Sequence, residues 1–240
     1  MLSVAERIGL PLIRVSSNLD DFYSKPYLNK RIGFQHSHTL RNTSAALLFQ
    51  KGIGRYMYAS ALSYEDIHIR PNDDIAYCDP MTLPLLSTES QEIISVGSEH
   101  TRVQKTLIVT ELQEPQTSLD VCIRPRGITG PINCSQCRKC LRTLATLEIS
   151  GKIDRYRSIF DMDMWKRKRA KFFSEVMLRD FPLLKEIDNY AKETGFKYPI
   201  QSIAYFYTGL PYVYSRYNNA IKRLKDLTKG LLKKSSYKNN

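Results

Sequence analysis

No stretch of this 240-residue chain approaches the roughly 18 uninterrupted apolar residues that a membrane helix requires, so no membrane-spanning role is expected. The first residues lack the uncharged apolar core of a secretory leader, because Glu6, Arg7 and Arg14 interrupt them. Together these absences make a cytoplasmic address the expectation. A glycine-rich phosphate cradle is missing as well. The closest glycine pair, Gly52 and Gly54, follows a helical run and precedes a strand-like one, the reverse of the order such a loop needs, and Gly52 reads instead as a helix C-cap. Cysteine is scarce: there are five, and an odd number in a reducing compartment argues against a disulfide framework. The chain is long enough to bury a sizeable core without metal or disulfides.

What is abundant is positive charge, and it is unevenly placed. The net charge is +12, yet residues 1–120 sum to −3 and residues 121–240 to +15. A basic second half suits a polyanion, a nucleotide or an acidic surface, and solvated helix faces give the same count. The local pattern also changes along the chain. A short helix at Leu2 to Arg7 is stopped by Gly9 and Pro11 and leads into an apolar strand, Leu12 to Val15. A helix over Leu40 to Phe49, a strand over Tyr56 to Ser60, a helix over Thr88 to Gly97, and strands over Leu107 to Glu111 and Leu119 to Ile123 follow. This alternation predicts an α/β fold, a doubly wound parallel sheet. From Leu141 the period is helical, with helices over Leu141 to Gly151, Trp165 to Arg179, Leu183 to Glu193 and Asn218 to Lys234.

Four of the cysteines cluster. Cys134, Cys137 and Cys140 are each separated by two residues, the spacing with which a tight knuckle turns sulfurs toward one point, and Cys122 lies upstream with eleven residues between it and Cys134. Gly127, Gly130 and Pro131 let the connecting loop fold back, and Arg138, Lys139 and Arg142 offset thiolate charge. One structural zinc ion is the expectation, with an iron–sulfur cluster and a set of buried unligated thiols as the competing readings. Cys78 stands apart and reads as a small buried apolar side chain. His36 and His38 share one face of an extended segment but have no third ligand nearby, so metal binding there is not expected.

A helix-strand opening, an α/β body and then Cys-x11-Cys-x2-Cys-x2-Cys leading into a helix resemble the 7-cyano-7-deazaguanine synthases and their relatives in the PP-loop ATP pyrophosphatase superfamily. The resemblance covers roughly residues 4–150, and its most specific part is Asn133 to Thr143 together with Cys122. It implies zinc on the four cysteines beside an active site, adenylation of a small acidic substrate by ATP, and release of pyrophosphate. It also implies nucleotide contacts at Ser16, Ser17 and Asn18 and phosphate contacts at Arg102 and Lys105; Asp66 and His68, which follow the strand Tyr56 to Ser60, are expected to reach a substrate at the same sheet edge by their position. The family's phosphate loop, Ser-Gly-Gly-x-Asp-Ser, is not in this sequence. The expectation is therefore a truncated or internally started form in which the sheet is incomplete at its N-terminus. ATP and Mg2+ would enter only where the full loop exists, and a homo-oligomer or a complementing chain would cover the open sheet.

The expected organisation is an α/β nucleotide-binding-like domain over residues 1–118, a four-cysteine segment over 119–151 and a basic helical region over 152–240. The alternative reading is a non-enzymatic, zinc-stabilised basic module that binds nucleic acid or an acidic protein. Its candidates are the run Trp165 to Lys171, a basic tail with Lys222, Arg223, Lys225, Lys229, Lys233 and Lys234, and the aromatic residues Tyr205, Tyr207, Tyr212, Tyr214 and Tyr217 as stacking platforms. Core packing is the competing role for those aromatics and for the apolar stripe of the tail.

Overall fold

The structure, a computed structural model, describes residues 2–19, 21, 32–123 and 130–208. Internal packing divides the chain into two compact units, Met1–Leu119 and Asp120–Asn240.

The first unit is mixed helix and strand. Helix α1, Leu2–Arg7, ends where Gly9 turns left-handed at φ 70° and Leu10 closes back on the Ala5 carbonyl. The apolar residues after it do not form the expected strand. Among the described residues the backbone of residues 11–17 has no hydrogen-bond partner, and Ile13 and Val15 are exposed. A strand-like sequence needs a neighbouring strand to pair with, and none is supplied here.

Helix α2, Phe34–Leu47, begins six residues earlier than its apolar pattern suggests. It buries a stripe of hydroxyls, Ser37, Thr39 and Thr43, whereas Leu40 and the C-cap Leu48 lie at the surface. Its C-cap is Leu48, and Gly52 sits in the following turn, donating to the Phe49 carbonyl.

Strand β1, Arg55–Ala59, pairs in parallel with β2, Glu92–Val96, setting Tyr56 opposite Ile93 and Tyr58 opposite Ser95. The second strand lies where a helix is expected over Thr88 to Gly97. Ile93, Ile94 and Val96 are β-branched, and over so short a run the pairing partner, not the period, decides. Gln91, wholly buried, donates to the Ile53 carbonyl at 2.9 Å and so ties the entry of β2 to the end of the α2 turn. The crossover carries several single turns and the short helix α3, Asp79–Thr82.

After β2 the chain enters helix α4, Arg102–Val109, through a capping box in which Thr101 and Gln104 each accept from the other's backbone N–H. This helix replaces the strand expected over Leu107 to Glu111. A further single-turn helix, α5, covers Pro115–Ser118. The segment Leu119 to Ile123 is irregular and is not a strand. Among the described residues the sheet is therefore one parallel pair and not a doubly wound sheet. Leu62, Ala76, Leu83, Ile93 and Val103 form its core.

The second unit is helical: α6, Arg138–Ile149, α7, Met162–Leu178, α8, Pro182–Glu193, and α9, Ile200–Tyr207. Gly151 and Gly195 stop α6 and α8 in left-handed turns at φ 69° and 66°. Helix α7 packs against α6, α8 and α9, and α6 against α8. Phe173, fully buried, is ringed by Trp165, Phe196 and Tyr198 with centroids 5.4 to 5.8 Å away. Burial and the neighbouring Asp188 carboxylate, which accepts from the Tyr198 hydroxyl at 2.8 Å, push that phenol upward from its ordinary pKa. Helix α9 exposes Tyr205 and Tyr207, so these rings are not core residues. The expected helix over Asn218 to Lys234, the basic tail and Tyr212, Tyr214 and Tyr217 lie outside the described residues, as does Gly127. No helix among the described residues is long and apolar enough to cross a membrane.

Candidate metal centre and neighbouring sites

Four cysteines lie close enough to hold a metal ion. The Sγ atoms of Cys122, Cys134, Cys137 and Cys140 all fall within 4.8 Å of one another, and among the described residues this is the one convergent set of metal-ligating side chains. A tetrahedron with metal–sulfur bonds of about 2.3 Å places its sulfurs about 3.8 Å apart. Cys134 and Cys140 stand at 3.9 Å and Cys137 and Cys140 at 3.4 Å, too far for disulfides and near the tetrahedral edge.

The local fold explains this convergence. Ser135 takes the left-handed conformation at φ 53°, which turns the chain sharply after Cys134. Its buried hydroxyl donates to the Asn133 carbonyl and accepts the Asp161 N–H at 2.8 Å. Cys137 is the N-cap of α6 and donates its N–H to the Cys134 sulfur at 3.4 Å, and Cys140 lies in the first turn of the helix. Cys122 comes from the irregular segment before, where its N–H binds the Asp120 carboxylate at 3.0 Å.

The electrostatics suit thiolates. Burial pushes the Cys137 thiol up, but the N–H groups of Cys140 and Ile123 and the thiols of Cys140 and Cys134 outweigh it and bring the pKa down to about 7. Burial together with the neighbouring Cys137 sulfur pushes Cys140 upward. One negative charge is thus readily held, and a second beside it is costly without a cation between them. The amino end of α6 and the exposed Arg138 and Lys139 on its first turn add positive potential.

The other predicted site residues fall in the first unit. Arg102 donates to the Ala61 carbonyl at 2.7 Å, and Lys105 to the Ser60 hydroxyl at 2.6 Å and the Ser60 carbonyl at 3.2 Å. Both cations are therefore brought to the carboxyl end of β1, where they bind the chain itself. Gly97, left-handed at φ 88°, turns the end of β2 so that the Ser98 carbonyl accepts from Tyr64 in the same loop region. Asp66 and His68 lie a few residues beyond. Burial raises the Asp66 carboxyl, with the Ser63 hydroxyl and His68 pulling down and Glu65 pushing up. The His68 ring stacks on Tyr77 at 4.5 Å, and its buried Nδ1 has no hydrogen-bond partner among the described residues. Ser16, Ser17 and Asn18 do not end a strand. They are exposed, and Ser17 lines a cleft of about 550 Å3 with Ile13, Val15, Asn42, Phe49 and Tyr56.

Sequence reasoning missed a polar network on α2. His38 lies between the Asp74 carboxylate, 3.0 Å from Nε2, and the Tyr58 hydroxyl, 3.2 Å from Nδ1, and Asn42 donates to that same hydroxyl. Thr39 donates to the fully buried Asp79 at 2.7 Å, leaving the second Asp79 oxygen without a partner among the described residues. Burial raises the Asp79 carboxyl, against the pull of Thr39 and His38 and with a push from Asp74. The i, i+4 spacing of His38 and Asn42 was the available signal, once the helix is started at Phe34. Because that segment is helical, His36 turns away from His38 and accepts the Gly33 N–H instead. Cys78 is half-buried and donates to the His68 carbonyl, a polar contact beyond the apolar role expected of it.

Comparison of the chain with protein-family models, with curated proteins and with solved structures finds no match. The functional reading accordingly rests on the residues themselves.

Proposed function

We propose that the four cysteines hold one structural zinc ion in a PP-loop ATP pyrophosphatase-like protein that receives a small acidic substrate at the carboxyl end of its parallel strands. The observation that carries this reading is the convergence of four sulfurs within a single-ion bite at the head of α6. A cluster spreads its cysteines over separate irons around a cage, so the close spacing supports zinc over iron–sulfur. Four thiolates also leave no open coordination position, which supports a structural role over a Lewis-acid one. Arg102 and Lys105 at the end of β1, with Asp66 and His68 beyond it, supply charge of both signs where open α/β sheets take ligands. The Ser-Gly-Gly-x-Asp-Ser phosphate loop is not in this sequence, so little or no ATP turnover is expected of this chain.

Metal analysis of the purified protein should return one zinc per chain. Calorimetry should then detect a small acidic ligand or nucleotide whose binding weakens about tenfold in Arg102→Ala or Lys105→Ala, as for loss of a charge-assisted hydrogen bond. A metal-free protein would sink the first part, and no response of binding to either substitution the second.

A second reading is favoured by α7, which exposes Lys166, Arg167, Lys168 and Lys171. In that reading the zinc shapes a basic module for nucleic acid. Retention on nucleic acid that falls steeply with salt, with no nucleotide binding, would select it.

A further inference from the structure

We propose that Asn133 is the positioning residue for the metal centre: its side chain delivers Cys122 to the three sulfurs of the knuckle. This inference rests on the metal reading above and goes beyond it by naming what assembles the site. Cys122 is the ligand outside the knuckle's own turn: the Ile123 N–H meets the Cys137 sulfur on one side of it, and Asn133 holds Val121 on the other. Cys122 is separated from Cys134 by eleven residues, of which 124–129 lie outside the described residues. The other three ligands are fixed by the Ser135 turn and the first turn of α6.

Asn133 bridges the gap with both ends of its amide. Its Oδ1 accepts the N–H of Val121, the residue before Cys122, at 2.9 Å. Its Nδ2 donates to the Ile159 carbonyl at 3.1 Å, and its own N–H donates to the same carbonyl at 3.1 Å. The residue is 1% exposed and forms an isolated parallel bridge with Phe160. It is also the neighbour of Cys134 in the chain, so one side chain fixes the residues preceding two ligands against a third segment. The contact needs an acceptor on one side and a donor on the other, which an amide supplies; a carboxylate lacks the donor and an apolar isostere lacks both. Residues that orient metal ligands from outside the coordination sphere typically alter metal affinity 10- to 100-fold.

Two variants test this. Asn133→Leu keeps the number and branching of the side-chain heavy atoms and removes both side-chain hydrogen bonds, and Val121→Pro removes the donor that Asn133 holds while leaving Asn133 in place. In the zinc-loaded full chain, iodoacetamide labelling with site mapping should find all four cysteines protected in the parent. In each variant Cys122 should be alkylated while Cys134, Cys137 and Cys140 stay protected. Zinc release to a chelator should quicken 10- to 100-fold. With Co2+ in place of zinc, the sulfur-to-metal charge-transfer band should fall by about a quarter, as for three thiolates in place of four. Equal exposure of all four cysteines would mean a general structural role, and unchanged labelling and release in the variants would mean no role; either overturns the proposal. A parent chain that binds neither Zn2+ nor Co2+ overturns the metal reading itself, a result distinct from a metal-loaded parent with unaffected variants.

Discussion

The two units solve the burial problem with different means. In the second, consecutive helices stack around Phe173 and Trp165, and each helix meets partners that are near in sequence. In the first, the sheet among the described residues is two parallel strands far apart in sequence, and apolar side chains such as Met57, Ile69 and Leu85 stay more than half exposed. Parallel sheets are ordinarily covered on both faces, so an open pair with exposed Met57 leaves more of its stability to loops and polar contacts. The polar network of His38, Asp74, Thr39 and Asp79 takes part of the place that apolar packing holds in the other unit. The helical unit thus gathers its apolar side chains around one centre, and the mixed helix-and-strand unit leaves several of its own at the surface.

The comparison breaks most sharply at the four-cysteine site. Cys137→Ser should lose stoichiometric zinc and, with it, binding free energy on the order of 10 kcal/mol. In a thermal scan followed by elemental analysis, the transition of the second unit should fall while that of the first stays in place. Retention of full zinc occupancy would refute the site. Phe173→Ala should cost the second unit about 3–5 kcal/mol, and Ile93→Ala should cost the first about 2–5 kcal/mol. Denaturant titrations of each variant should show one shifted transition and one unmoved; if both move together, the two units do not unfold separately.

The smallest effect concerns pH. Because burial raises the Asp79 carboxyl above its ordinary value of 3.8, its stabilising contribution is complete below that value and is lost as pH rises through the raised one. Asp79→Asn should therefore match the parent in acid and exceed it at neutral pH, by on the order of 1 kcal/mol for an unpartnered buried oxygen. Equal stability across the range, read from urea midpoints of the first unit, would contradict the burial argument.

How much of this was legible in the sequence follows the same divide. Leu141, Leu144, Ala145 and Leu147 recur at helix spacing before Gly151, and α6 lies there, because the signal and the structure are both local. The cysteine spacing was equally readable, since two intervening residues suffice to aim neighbouring sulfurs at one point. Residues Glu92 to Val96 were not readable as a strand, because what makes them one is Arg55–Ala59, distant along the chain. The same lack worked in reverse at Leu12 to Val15, whose composition is strand-like but which finds no partner. For Leu107 to Glu111 a local signal did exist in the Thr101 and Gln104 capping box, and the apolar run overshadowed it. Asn133 stood out in the sequence only as the residue before Cys134, and its positioning role was not readable because it lies in contacts with Val121 and Ile159.

The parallel sense of β1 and β2 also sets an order of events. Residues 60–91 must be gathered into a loop before the first ladder bond between the strands can close, an entropic toll of about 3 kcal/mol that no local turn can reduce. Helix α6 and the Cys134 to Cys140 turn at its head form from contacts only a few residues apart. The second unit should therefore reach its native arrangement sooner after dilution from denaturant, and amide protons of β1 and β2 should exchange only when the first unit opens as a whole.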